Sequence, residues 1–127
     1  MKYSVDKRDK YTILKPEVEK LDTTVAPDLK TEFINLNNEG TKHMILDLST
    51  VKYVDSSGLS AILVANRLCG NNNGALVITS LNDHVKKLIQ ISQLDEVLNI
   101  LPTVEEASEA IYMHELESDI KSEGSEE

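Results

Sequence analysis

The chain has 127 residues, 40% of them hydrophobic and 28% charged, with a formal net charge of −9. That is the composition of one globular domain, and a chain this long buries roughly two-thirds of its unfolded surface, enough to need no covalent staple. A single cysteine, Cys69, excludes an internal disulfide and any zinc site built on several cysteines, and the acidic balance argues against nucleic acid and anionic membrane surfaces.

The first ten residues, MKYSVDKRDK, lack the apolar centre of a signal peptide. No apolar run reaches the ~18 residues of a membrane span. Tyr3–Lys7 and Tyr11–Lys15 alternate on either side of Arg8-Asp9-Lys10, which predicts a hairpin. Pro16 opens a loop or short edge strand through Glu19. Thr23 or Thr24 is placed to cap a first helix with Pro27 in its first turn, Leu29, Phe33, Ile34 and Leu36 on its apolar side and Gly40 as its stop.

Met44–Leu48 is a short apolar run of buried-strand length, and Val51–Val54 carries the chain on. Asp55-Ser56-Ser57-Gly58 then interrupts. A helix face follows, with apolar residues at Leu59, Ile62, Leu63 and Ala65 or Leu68. The turn cluster Gly70–Gly74 separates this helix from a second buried-type strand, Ala75–Thr79. Strand, helix and strand within so short a span make a βαβ unit with parallel strands. Ser80 or Asn82 is placed to cap a third helix with Val85, Leu88, Ile89 and Ser92 on one face. Val97–Leu101 is a last strand, and Pro102-Thr103 opens a final helix with Val104, Ala107, Ile111 and Leu116 inward. From Leu116 the composition predicts an acidic tail without order: residues 115–127 hold five Glu, one Asp and one Lys, a net −5. The order β-β-α-β-α-β-α-β-α predicts an α/β domain over residues 1–115, with one mixed sheet of four or five strands and about four helices against it.

The chemistry centres on residues 55–58. Asp and Ser at a strand-to-helix turn are suited to satisfy the partnerless N–H groups of the first helical turn, and a helix start also favours negative charge. Three uses of Ser56 follow from the residues alone. It caps the helix; it is a nucleophile; or it is a phosphorylation site, where phosphate adds about −1.5 to −2 charges. Nucleophilic use requires a base within reach, and His43, His84 and His114 sit at a strand start, a helix start and the end of the domain. The local run is not Gly-x-Ser-x-Gly either. The same three histidines lack metal-ligand spacing.

Asp47-Leu48, Val54-Asp55-Ser56-Ser57-Gly58-Leu59, Leu76-Val77-Ile78 and Val85-Lys86-Lys87-Leu88 with Leu94 and Val97 together resemble the STAS domain of the anti-anti-sigma factors. The resemblance runs from about Tyr3 to Ile111. It implies a mixed sheet with helices mainly on one face. It also implies a bacterial, cytoplasmic anti-sigma factor antagonist that is not an enzyme. Such a protein binds a serine-kinase anti-sigma factor, frees the sigma factor, and is switched off by phosphorylation and restored by a serine phosphatase of the PP2C type. The phosphoacceptor maps to Ser56, with Ser57 as the alternative. Asp22, Asp55, Ser56, Ser57, Gly58 and Leu59 map to the partner-binding surface. No cofactor is implied for the chain itself, because the kinase carries the ATP or ADP.

The loop before the first helix departs from the family. A Gly-Glu/Asp-Leu-Asp run is usual there, but this chain has Pro16–Asp22, in which Leu21-Asp22 survives and the glycine does not. Two rival roles remain: a transporter's accessory subunit, lipid or ion, that uses the Asp55–Gly58 loop without phosphorylation, and a small enzyme with Ser56 as nucleophile. The Ser-Ser pair weighs against the first. Cys69 reads as a small buried residue, Lys86-Lys87 as a solvated helix face, and the net charge favours a monomer before partner binding.

Overall fold

The computed structural model describes residues 2–125, with side chains through Ile120. Its elements are β1 (Tyr3–Lys7), β2 (Thr12–Pro16), β3 (Lys20–Leu21), α1 (Ala26–Asn38), β4 (Met44–Asp47), β5 (Tyr53–Val54), α2 (Ser56–Asn71), β6 (Leu76–Thr79), α3 (Asp83–Ile91), β7 (Asn99–Leu101) and α4 (Val104–Ser125). The main sheet runs in the order β1-β2-β4-β6-β7. β1 is antiparallel to β2, as the hairpin requires, and the remaining pairs are parallel. The expected mixed sheet and βαβ unit are both present.

Alternation along the central strands decides the layers. Leu14 of β2, Met44 and Leu46 of β4, and Leu76 and Ile78 of β6 share a core with α1, α2 and α3. Ile45 and Val77, one residue out of phase, pack instead with Ala107 and Ile111 of α4. Three helices therefore cover one face and α4 covers the other. Phe33, Leu29, Ile62 and Ile89 are fully buried in the larger core, and each such side chain contributes about 1.5–3 kcal/mol. Cys69 is buried there too, which pushes its thiol up to about 11.

Several boundaries differ from the sequence expectations. Neither Thr23 nor Thr24 caps α1. Its N-cap is Val25, with no side-chain bond, and the Asp22 carbonyl accepts from the Val25 and Ala26 N–H groups. Ile34 is exposed on α1. Asn82, one of the two candidates, caps α3 through the Val85 N–H at 2.8 Å, while Ser92 only closes that helix at its far end. Residues 94–98 form a turn bonded to the Leu94 carbonyl, so β7 begins at Asn99.

The largest difference is at the C-terminus. Where composition predicts an unordered tail from Leu116, α4 continues to Ser125, and Leu116 faces out rather than in. Residues 126–127 lie outside the described residues. Once Val104, Ala107 and Ile111 seat the helix on the sheet, each further residue adds one hydrogen bond without a new nucleation cost.

One buried polar link ties α4 to the sheet. His43, 2% exposed at the start of β4, accepts the Ala75 N–H at Nδ1 (3.0 Å), so its proton sits on Nε2, which donates to Glu115 Oε1. Lys42 approaches the same oxygen at 3.3 Å, and the His114 ring lies edge-on to His43 with centroids 5.3 Å apart. Burial lowers the His43 pKa against the pull of Glu115. The unfolded chain then takes up its proton at a higher pH than the folded chain. Stability is therefore full above the ordinary histidine value of about 6.5 and falls as the pH drops below it. The urea midpoint is expected to decline between about pH 7.5 and 5.5, with a flatter profile in His43→Gln. Identical slopes in the two proteins would rule out His43 as the source.

Candidate functional site

The residues singled out in the sequence come together around a second, two-stranded sheet. β3 pairs with β5 in parallel, with Lys20 opposite Tyr53 and Leu21 opposite Val54. The Glu19 carbonyl accepts from the Lys52 and Tyr53 N–H groups, and the Asp55 N–H donates to the Leu21 carbonyl at 3.1 Å. Asp22 and Asp55 are thus the residues that leave two paired strands side by side. The adjacency of Asp22 to residues 55–58 comes from this pairing, which Pro16–Asp22 forms without the family's glycine.

Asp55 is the N-cap of α2. Its backbone is extended, with φ −99° and ψ −174°, and its Oδ1 accepts the Gly58 N–H at 3.0 Å. The helix cap that the residues predict at this position is formed. Ser56 is the first helical residue and is exposed; Ser57 is half-buried. The N–H groups of Ser56 and Ser57 belong to the helix start, where the aligned peptide dipoles favour an anion. Against that stands the Asp55 carboxylate next door.

Gly58 and Leu59 were expected on the partner-binding surface, and both are buried. Leu59, at 8% exposed, belongs to the core shared by the sheet and α1–α3. Leu59 shares the inward face of α2 with Ile62, which follows three residues later and is fully buried. Gly58 meets this chain's own backbone. A Cβ there would lie 2.4 Å from the Leu21 carbonyl oxygen and 2.9 Å from both Leu21 Cβ and Val54 Cγ1.

Asp22 is held locally. Its Oδ1 accepts from the Thr24 N–H at 3.0 Å and the Thr24 hydroxyl at 2.5 Å, and these bonds hold its carboxyl below the ordinary range. The arrangement fixes the Asp22–Thr24 turn beside the α2 start.

The histidines are engaged elsewhere. His43 is committed to Glu115 and the Ala75 amide, His114 lies 3.2 Å from the Asn73 carbonyl, and His84 stacks on Tyr53 with ring centroids 6.0 Å apart. Among the described residues no histidine hydrogen-bonds to Ser56. The Tyr53–His84 pair is the feature of this surface that the sequence did not single out. Tyr53 falls in a two-residue strand, and only the fold brings the α3 start against it.

The close approach at Gly58 has a measurable consequence. Gly58→Ala drives a methyl into backbone that cannot retreat, and is expected to cost about 1–3 kcal/mol in a denaturant titration. Gly70→Ala, late in the same helix with nothing within 4 Å of the added carbon, is expected to be neutral or stabilising by up to about 1 kcal/mol. Equal effects at the two positions would mean that α2 does not rest on Leu21.

Comparison with known proteins places this geometry. The STAS domain family matches residues 2–107. The anti-sigma-B factor antagonist of Staphylococcus aureus (strain NCTC 8325 / PS 47) is 26% identical over 80 residues, covering 63% of this chain and 74% of that protein. A Thermotoga maritima crystal structure, of a candidate anti-sigma factor antagonist, superposes with a TM-score of 0.80 at 27% identity over 87% of this chain and 94% of that one. SpoIIAA, the Bacillus cell fate determinant, in its phosphorylated form, has the same fold, with a TM-score of 0.67 at 17% identity over 87% and 99% of the two chains. A parallel-sheet core with a second strand pair beneath an Asp-capped α2, and a family match across most of its length, make this chain a member of the STAS-domain family.

Proposed function

We propose that the chain is an anti-sigma factor antagonist, a binding module without catalytic activity of its own. In its unmodified form it binds a serine-kinase anti-sigma factor and so frees a sigma factor. A phosphate on Ser56 ends that binding, and a PP2C-type serine phosphatase restores it. The observation that carries the proposal is the exposed Ser56 hydroxyl on the first residue of an Asp-capped helix. The similarity over 80 residues to a protein named as an anti-sigma-B factor antagonist supports it, as does a phosphorylated form of SpoIIAA on the same fold.

Rigidity explains how one hydroxyl can serve as a switch. Asp55 caps the turn and Leu21 supports it from below, so a phosphate on Ser56 adds charge at a turn whose backbone is already held. Phosphate at a helix start is stabilised by about 0.3–1 kcal/mol, so it does not unfold α2. What changes is the surface charge. A phosphate beside Asp55 takes the charge at the helix start from −1 to about −2.5 to −3, and like charge pressed into an interface costs several kcal/mol. About 3 kcal/mol weakens affinity more than a hundredfold, since each ~1.4 kcal/mol is tenfold. Asp22, leaving the paired strand beside this turn, belongs to the same contact surface, and Ser57, half-buried, is the lesser acceptor. The nucleotide for the transfer comes with the kinase.

The test is a direct titration against the host's serine-kinase anti-sigma factor. Ser56→Ala is expected to bind within about threefold of the unmodified chain, and Ser56→Asp about a hundredfold more weakly. Equal affinities would contradict the switch.

A further inference from the structure

Helix α4 carries two apolar stripes on opposite sides. At about 100° per residue, Val104, Ala107 and Ile111 fall on one side and Met113, Leu116 and Ile120 on the other. Ala107 and Ile111 are buried against Ile45 and Val77, with Val104 packed beside them. The second stripe is open: Met113 is 56% exposed, Leu116 53% and Ile120 59%, with Tyr112 at its margin at 50%. Isolated exposed apolar residues need no explanation, but Met113, Leu116 and Ile120 on one side of one helix form a patch, and patches of that kind mark interaction sites.

The stripe continues into a groove of about 410 Å³ between α4 and the short edge strand β7, lined by Ala75, Val77, Ile100, Leu101, Ala110 and Met113. Met113 belongs to both features. The family match ends at residue 107, before the first residue of the stripe.

Charge selects the occupant. Residues 104–125 contain seven carboxylates and one lysine, in a chain of net charge −9. A second copy would bring two such helices together, with like charges facing across the contact. Anionic lipid is disfavoured for the same reason. We infer that the outer face of α4 is a docking surface for a protein helix that is amphipathic and basic, its apolar side on Met113, Leu116 and Ile120 and its lysines or arginines against the flanking carboxylates. This is the helix-on-apolar-surface mode of recognition. It is separate from the Ser56 surface, which lies at the start of α2.

The probe is a synthetic peptide of about 18 residues, five helical turns, with Leu at helical spacing and Lys elsewhere. A peptide of the same composition in scrambled order serves as reference. Fluorescence anisotropy is expected to show the patterned peptide binding at least about tenfold more tightly than the scrambled one. That preference is expected to vanish in Leu116→Glu/Ile120→Glu, whose changes lie on exposed positions, and to weaken in Glu117→Lys/Asp119→Lys, which leaves the apolar stripe intact. Ser56→Asp is expected to bind the peptide unchanged, so the outcome is independent of the switch. Equal binding of the two peptides would overturn the proposal, as would sedimentation showing self-association that Leu116→Glu/Ile120→Glu abolishes. Binding to phosphatidylglycerol vesicles in place of the peptide would overturn it as well.

Discussion

The first turn of α2 rests directly on the peptide of Leu21, and it can do so only because residue 58 has no side chain. That contact locks together the small β3–β5 sheet, the Asp55 cap and the start of α2. Its result is an exposed serine on a backbone that has little freedom to move. A switch of this kind needs both properties. The hydroxyl must be reachable by a kinase, and the surrounding shape must persist so that only the charge changes.

The parts of this arrangement were not equally visible in the sequence. β4 and β6 were legible because buried parallel strands read as unbroken apolar runs. The start of α2 was legible because Asp55 and the small residues after it interrupt the apolar pattern where periodicity changes from strand to helix. β3 and β5 were not, since two-residue strands fall below any periodic signal and exist through their pairing. Gly58 illustrates the limit well. The resemblance maps it to the partner-binding surface, and the structure supplies an internal neighbour, Leu21, that lies 37 positions away. Leu59 was placed with the contact residues by resemblance, although its helical phase already directed it into the core.

The opposite end of the molecule shows where composition misleads. By composition residues 117–125 look too polar to fold, yet they belong to α4. They are helical because Ala107 and Ile111 hold α4 to the sheet and because Glu115 reaches His43, 72 positions earlier in the chain. The same helix then carries apolar side chains away from the domain, at the spacing of a second face. The domain therefore presents two separate surfaces: a small polar one at the α2 start, suited to a switch of charge, and an apolar, acid-flanked one along α4, suited to a lasting contact.

Site-resolved phosphopeptide mass spectrometry on the chain isolated from its native host reads the switch at its source. Phosphate is expected on Ser56, with Ser57 at most a minor acceptor. Phosphate confined to Ser57 or to residues outside the α2 start, or a chain unmodified under every growth condition, would contradict it.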